Sequence, residues 1–196
     1  TRPARLRRMA GLLRFYQRSG MRALLRATRI LKLTGMARLD TILPGTVPRA
    51  GLRLVYYPAS GTMRGSVALF TGCIASVIDN ETLTATIRVL NRLGYDVHVP
   101  AGQGCCGAMH LHSGAGQAAT DLMQQNIRAF ADLAPGAEIS AVIGVASGCT
   151  AVLAEYSRHL PQQNAAGNFS ARVTDISRFL QEITWPESPT LAPMAK

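Results

Sequence analysis

The sequence predicts an α/β protein with a parallel sheet of βαβ units, preceded by a basic amphipathic helical arm. Three observations predict it. Three short apolar runs, residues 67–70, 95–99 and 139–145, have the length and composition of strands. Helical patterns separate and follow them, the alternation of a right-handed parallel sheet. Residues 1–38 hold eleven of the 21 Lys and Arg, no Asp or Glu, and a helical spacing of apolar residues.

In the arm, Leu6, Met9, Leu12, Leu13 and Tyr16 recur three or four apart among Arg5, Arg7, Arg8, Arg14 and Arg18, which predicts a helix over 3–18. Ser19-Gly20 breaks it. A second helical pattern follows through Met21, Leu24, Leu25, Thr28 and Leu31, with Gly35 as its stop. Three readings of this arm stay open: packing on its own domain with solvated arginines, docking on a partner subunit, or peripheral contact with an anionic membrane surface. Nucleic acid is not expected, because no base-reading motif accompanies the charge.

Residues 39–65 read as a linker punctuated by Pro44-Gly45, Pro48, Gly51, Pro58, Gly61 and Gly65. Leu52 to Tyr57 is either an edge strand or extended chain. The α/β domain is expected over 66–185. Strand 67–70 leads to Thr71-Gly72-Cys73. Helix 80–93 follows, with Leu83, Ile87, Leu90 and Leu93 on one face, Asp79 or Asn80 as cap and Gly94 as its end. Strand 95–99 runs through Pro100 to Gly104 into Cys105-Cys106-Gly107. A long helix is expected over 114–133, with Ala118, Leu122, Gln125, Ala129 and Leu133 on one face and Pro135-Gly136 ending it. Strand 139–145 is almost wholly apolar, as a buried parallel strand is. Ser147-Gly148 turns the chain into a helix over 149–160. Residues 161–170 read as polar loop, 172–174 as a short strand and 175–184 as a last helix. The tail 186–196, with Pro186, Pro189 and Pro193, is expected to be loose.

The chain's 196 residues, 47% hydrophobic and 16% charged, suffice for one domain with a core and exclude a disordered chain. The net charge of +10 belongs to the arm. No secretory signal pattern and no run of 18 apolar residues is found. The chain begins at Thr1 already in a helical pattern, as a piece of a longer protein would. Four cysteines do not make a disulfide-dense framework. They fit a reducing, cytoplasmic compartment and metal or redox use.

Those four cysteines, Cys73, Cys105, Cys106 and Cys149, each follow a predicted strand. If the strands are parallel neighbours, all four thiols lie at the carboxyl edge of one sheet, where open α/β sheets bind ligands. The spacing lacks the close pairs of a zinc finger and the tight ferredoxin run. Thiolates are soft ligands that suit iron-sulfur or zinc. Neighbouring side chains cannot both enter one core, whereas two irons of one cluster can take an adjacent pair. Gly72, Gly102, Gly104, Gly107 and Gly148 surround the cysteines and permit close backbone approach. An iron-sulfur cluster is the leading reading. Zinc, a thiol-disulfide centre at Cys105 and Cys106, and buried inert thiols remain alternatives. No G-x-S-x-G turn, paired acids or dinucleotide fingerprint competes.

Thr71-Gly72-Cys73, Gly104-Cys105-Cys106-Gly107-Ala108 with His110 and His112 beyond, and Ala146-Ser147-Gly148-Cys149 before Glu155-Tyr156 resemble the CCG-type cysteine-rich domain. That domain occurs in the glycolate oxidase iron-sulfur subunit, in lactate-utilisation proteins and in heterodisulfide reductases. Arg172 to Leu180 also resembles the segment that follows in the glycolate oxidase subunit. The likeness covers residues 64–184. It implies an electron-transfer subunit of a flavin-dependent 2-hydroxy acid oxidoreductase that relays electrons toward a quinone-linked acceptor. FAD would sit only on a partner subunit, and this chain would be non-catalytic. Where relatives often carry a fifth cysteine, this chain has Ala146. Cys73, Cys105, Cys106 and Cys149 are then the implied ligands, enough for a 4Fe-4S cluster. Gly72, Gly104, Gly107, His110 and Gly148 are the implied cofactor-contacting residues. For His110 and His112, the plainer alternative is two polar residues that begin a helix.

Overall fold

The structure is a computed structural model describing residues 3–43, 52, 54–133 and 138–185. The tail 186–196, Pro44-Gly45, Pro48, Gly51 and Pro135-Gly136 lie outside the described residues.

The arm forms α1 (Pro3–Arg18), α2 (Met21–Ala27), α3 (Ile30–Leu33) and α4 (Ala37–Ile42). The second expected helix is interrupted, because Arg29 takes a left-handed φ of 56° between α2 and α3. α4 crosses the expected arm–linker boundary, and one acid explains why. Asp40 is only 5% exposed. It accepts hydrogen bonds from Tyr16 Oη at 2.9 Å, Arg22 Nε at 2.9 Å and Arg26 Nε at 2.6 Å. Burial works to raise its pKa, but the bonds from Arg26, Tyr16 and Arg22 outweigh burial and hold the carboxyl below its usual range. The arm's apolar face stays open: Met9, Leu12, Phe15 and Leu24 are all exposed.

The sheet has five strands, β1 (Tyr56–Tyr57), β2 (Gly65–Phe70), β3 (Tyr95–His98), β4 (Ile139–Gly144) and β5 (Val173–Asp175), in the order β1-β3-β2-β4-β5. β1 is antiparallel to β3, and every other pairing is parallel. The apolar run 52–57 contributes the short edge strand β1, a bond from Val99 N to Val55 O at 2.7 Å and the packing of Leu52 on the core.

Eight helices of the domain are described: α5 (Ala75–Ile78), α6 (Asn80–Arg92), α7 (Ala108–His112), α8 (Gly116–Ala131), α9 (Ser147–Ala154), α10 (Tyr156–His159), α11 (Asn164–Ser170) and α12 (Ile176–Glu182). Asp79 caps α6 by accepting from Thr82 N. Alternation along β2 divides the core in two. Val67 and Leu69 pack with Leu83, Ile87 and Leu90 of α6 and Phe179 of α12. Ala68 and Phe70 face Met123, Ile127 and Phe130 of α8, with Leu153, Tyr156 and Phe169 behind. Helices on both faces and β2 in the middle make a doubly wound sheet. Its strand order reverses between β2 and β4, and that crevice is where such sheets take ligands.

Three expectations are corrected. The stretch 161–170 is not loop throughout; α11 occupies its last seven residues. Its sequence has little helical periodicity, and tertiary burial of Ala166 and Phe169 holds it. Phe169 stacks on Tyr156 at 5.4 Å and meets Phe130 edge-on at 5.4 Å. The helix expected over 149–160 breaks at Glu155 into α9 and α10. On α8 the buried stripe is Ala119, Met123, Asn126, Ile127 and Phe130, one residue on from the expected face.

Candidate cofactor site: four thiols at one sheet edge

The turn after β2 presents Cys73, the loop after β3 presents Cys105 and Cys106, and the first turn of α9, after β4, presents Cys149. None of the four is in a disulfide; Cys105 and Cys106 are buried, and Cys73 and Cys149 half-buried. Cys73 Sγ donates to Cys105 Sγ at 3.6 Å. Cys106 is coupled electrostatically to both Cys105 and Cys149. The four thiols thus form one interacting row at the sheet edge, Cys73, Cys105, Cys106 and Cys149, although three strands and the helices between them separate them along the chain.

Crowding shows in the acidities. The Cys73 thiol is pushed far up, first by its bond to Cys105 and then by burial and the charges of Cys105 and Cys149. The Cys106 thiol is pushed up by its bonds to Cys105 and Cys149 and by burial. Cys149 is lowered to about 7 by its bond from Cys106, against burial and Cys105. The protein alone thus favours the protonated forms of Cys73 and Cys106. A bound cation reverses that logic, since it stabilises several thiolates together.

The row is braced by uncharged side chains. Gln103 Oε1 accepts from Thr71 N at 2.7 Å while its Nε2 donates to Leu69 O at 3.1 Å, tying the Cys73 turn to the cysteine-pair loop. Gln125 Nε2 donates to Gly102 O at 2.8 Å. Asn126, fully buried, accepts from Gly104 N at 2.7 Å and donates to Cys105 O at 2.9 Å and Tyr156 Oη at 2.9 Å. Tyr156 Oη donates to Cys106 O at 2.9 Å. Burial raises the Tyr156 pKa, so the hydroxyl keeps its proton for that bond.

The expected glycines differ in use. Gly72 turns with φ 63° directly before Cys73. Gly107 has φ 92° and starts α7 beside the backbone of Ala119. Gly104 lies against the Gln125 amide, whereas Gly148 has open space around it. Gly107→Ala is expected to cost about 1–2 kcal/mol by forcing a side chain into left-handed backbone, read as a lower denaturant midpoint. An unchanged midpoint would show that the turn relaxes without cost. Gly144 is not among the expected site residues; a Cβ there would collide with Thr150 of α9, so it lets the Cys149 helix sit close to its strand.

His110 is half-buried in α7 and His112 is exposed at its end. His98 is buried against the Tyr56 ring at 5.0 Å, as a structural residue. Gln103, Asn126 and Tyr156 are not among the expected site residues either. The signal for Asn126 is an amide set between Met123, Ile127 and Phe130 on one helix face.

Among the described residues, no group of three or more His, Cys, Asp or Glu is spaced to hold a single metal ion. Four thiols delivered to one sheet edge are soft donors, of the kind that suits iron-sulfur or zinc. Among the described residues, no helix is long and apolar enough to cross a membrane.

A doubly wound sheet with its thiols gathered at the strand-order reversal defines a cysteine-rich α/β domain. Residues 67–154 match the family described as Cysteine-rich domain (CCG). Residues 1–43 match the linker region of the glycolate oxidase iron-sulfur subunit. A Bacillus subtilis protein named "Probable glycolate oxidase iron-sulfur subunit" is 33% identical over 187 residues, covering 91% of this chain and 41% of that protein. The glycolate oxidase iron-sulfur subunit of Escherichia coli is 34% identical over 119 residues, 60% of this chain and 28% of that one. A subunit of the fumarate reductase (CoM/CoB) of Methanothermobacter marburgensis is 32% identical over 117 residues, 59% of this chain and 21% of that one. The chain thus spans less than half the length of these relatives. No solved structure matches.

Proposed function

We propose that Cys73, Cys105, Cys106 and Cys149 hold a 4Fe-4S cluster and that the chain passes electrons within a glycolate oxidase-type complex. The observation that carries this reading is the delivery of four thiols to one sheet edge by three parallel strands, with Cys73 Sγ and Cys105 Sγ 3.6 Å apart. Relatives named as iron-sulfur subunits support it. A bound cluster supplies one-electron transfer. The chain's own residues do the rest. The four thiols ligate, Gly72 and Gly107 shape the turns beside them, and Gln103 locks two of the loops together. Gly104 in the cysteine-pair loop, His110 in α7 and Gly148 in the first turn of α9 are further contacts. The redox step on a 2-hydroxy acid belongs to a flavin-binding partner subunit, and a quinone-linked acceptor takes the electrons onward. The open apolar and basic arm meets that partner or the inner face of the membrane in the cytoplasm.

Iron, zinc and acid-labile sulfide measured after anaerobic purification test the reading. Iron with matching sulfide is the expected result. Zinc without sulfide would replace the relay with a docking scaffold. No metal and a reversible dithiol titration would point to a thiol-disulfide reductase at Cys105 and Cys106.

A further inference from the structure

The carbonyls of both paired cysteines are occupied from one side by two buried side chains. Asn126 Nδ2 holds Cys105 O and Tyr156 Oη holds Cys106 O, each at 2.9 Å. Asn126 and Tyr156 are themselves linked at 2.9 Å, and Asn126 Oδ1 fixes Gly104 N at 2.7 Å. Every polar atom of the two side chains is used, so the network is rigid as well as buried. In a planar trans peptide the N–H points opposite to the C=O. Holding these two carbonyls therefore turns the N–H groups of Cys106 and Gly107 away from Asn126 and Tyr156. One residue further on, the Ala108 amide stands at the start of α7, next in line along the same backbone. Amides directed at cluster sulfurs are one of the means by which a protein sets the reduction potential.

We infer that Asn126 and Tyr156 are positioning residues that orient the backbone amides around the Cys105-Cys106 pair and thereby set the potential of the cluster bound there. The inference rests on the iron-sulfur reading above. It acts through the backbone, so neither side chain touches the cluster.

The test uses the full chain, loaded anaerobically with ferrous iron and sulfide. Tyr156→Phe keeps the ring stacked on Phe169 and removes only the hydroxyl. It is expected to load iron and sulfide as the unaltered chain does, with a shifted midpoint potential and a changed electron paramagnetic resonance spectrum. Asn126→Asp replaces the donor to Cys105 O by an acceptor and is expected to shift the potential as well. Phe169→Leu disturbs the same packing with no bond to the pair; it is expected to lower the melting temperature and leave potential and spectrum in place. An unaltered potential and spectrum in Tyr156→Phe, or an equal shift in Phe169→Leu, would overturn the inference and leave the cluster reading standing. An unaltered chain that takes up no sulfide would overturn the cluster reading itself.

Discussion

Asn126→Ala is expected to destabilise the domain by roughly 2–6 kcal/mol, because it strands the Gly104 N–H and the Cys105 carbonyl in the interior at about 1–3 kcal/mol each. Both groups have Asn126 as their partner, and the side chain is fully buried. A domain of this size is stable by about 5–15 kcal/mol, so the loss approaches the whole reserve. Urea unfolding should show a much lower midpoint at an unchanged slope. Gln125→Ala removes one bond to an exposed carbonyl on the neighbouring position and is the control. A midpoint for Asn126→Ala no lower than that of Gln125→Ala would show that the loop finds other partners, and the clamp would then be incidental.

Cys106→Ser is expected to lower iron and sulfide content per chain at least about tenfold. Removing a group that merely supports a ligand costs about 10–100-fold in metal affinity, and a ligand itself costs no less. Cys106 is also buried and coupled electrostatically to both Cys105 and Cys149. A serine hydroxyl is a hard donor that replaces a thiolate poorly. His112→Ala, at an exposed position on the far end of α7, is expected to keep its full load. Equal iron occupancy in the two variants would remove Cys106 from the ligand set.

The thiol row is legible in the sequence because its logic is local. Each cysteine follows an apolar run, and apolar runs flanked by glycine mark parallel strands without knowledge of their neighbours. Strand order is not legible: nothing in residues 67–70 says that β3 and β4 lie on opposite sides of β2. The bracing side chains are hidden for a different reason. α8 carries small or apolar residues on two adjacent faces, Ala118, Leu122 and Ala129 on one and Ala119, Met123 and Ile127 on the other. Periodicity cannot choose between faces one residue apart; contact with Phe70 and Val142 of the sheet does. Choosing the wrong face places Gln125 inward and Asn126 outward. α11 escapes because a seven-residue helix is held by Phe169 in an aromatic cluster, not by its own propensity. Asp40 looks like the start of a linker, since its partners Tyr16, Arg22 and Arg26 lie one to two helices away.

The reversal of strand order between β2 and β4 has a bearing on biosynthesis. The crevice has one wall from β2 and the other from β4, so during translation it does not exist until the later strand has left the ribosome and docked against the earlier one. A nascent chain that has made only β2, β3 and the loop after them displays three sulfurs and no enclosure. The four cysteines therefore come together late, only once β4 has docked beside β2 and α9 has followed it.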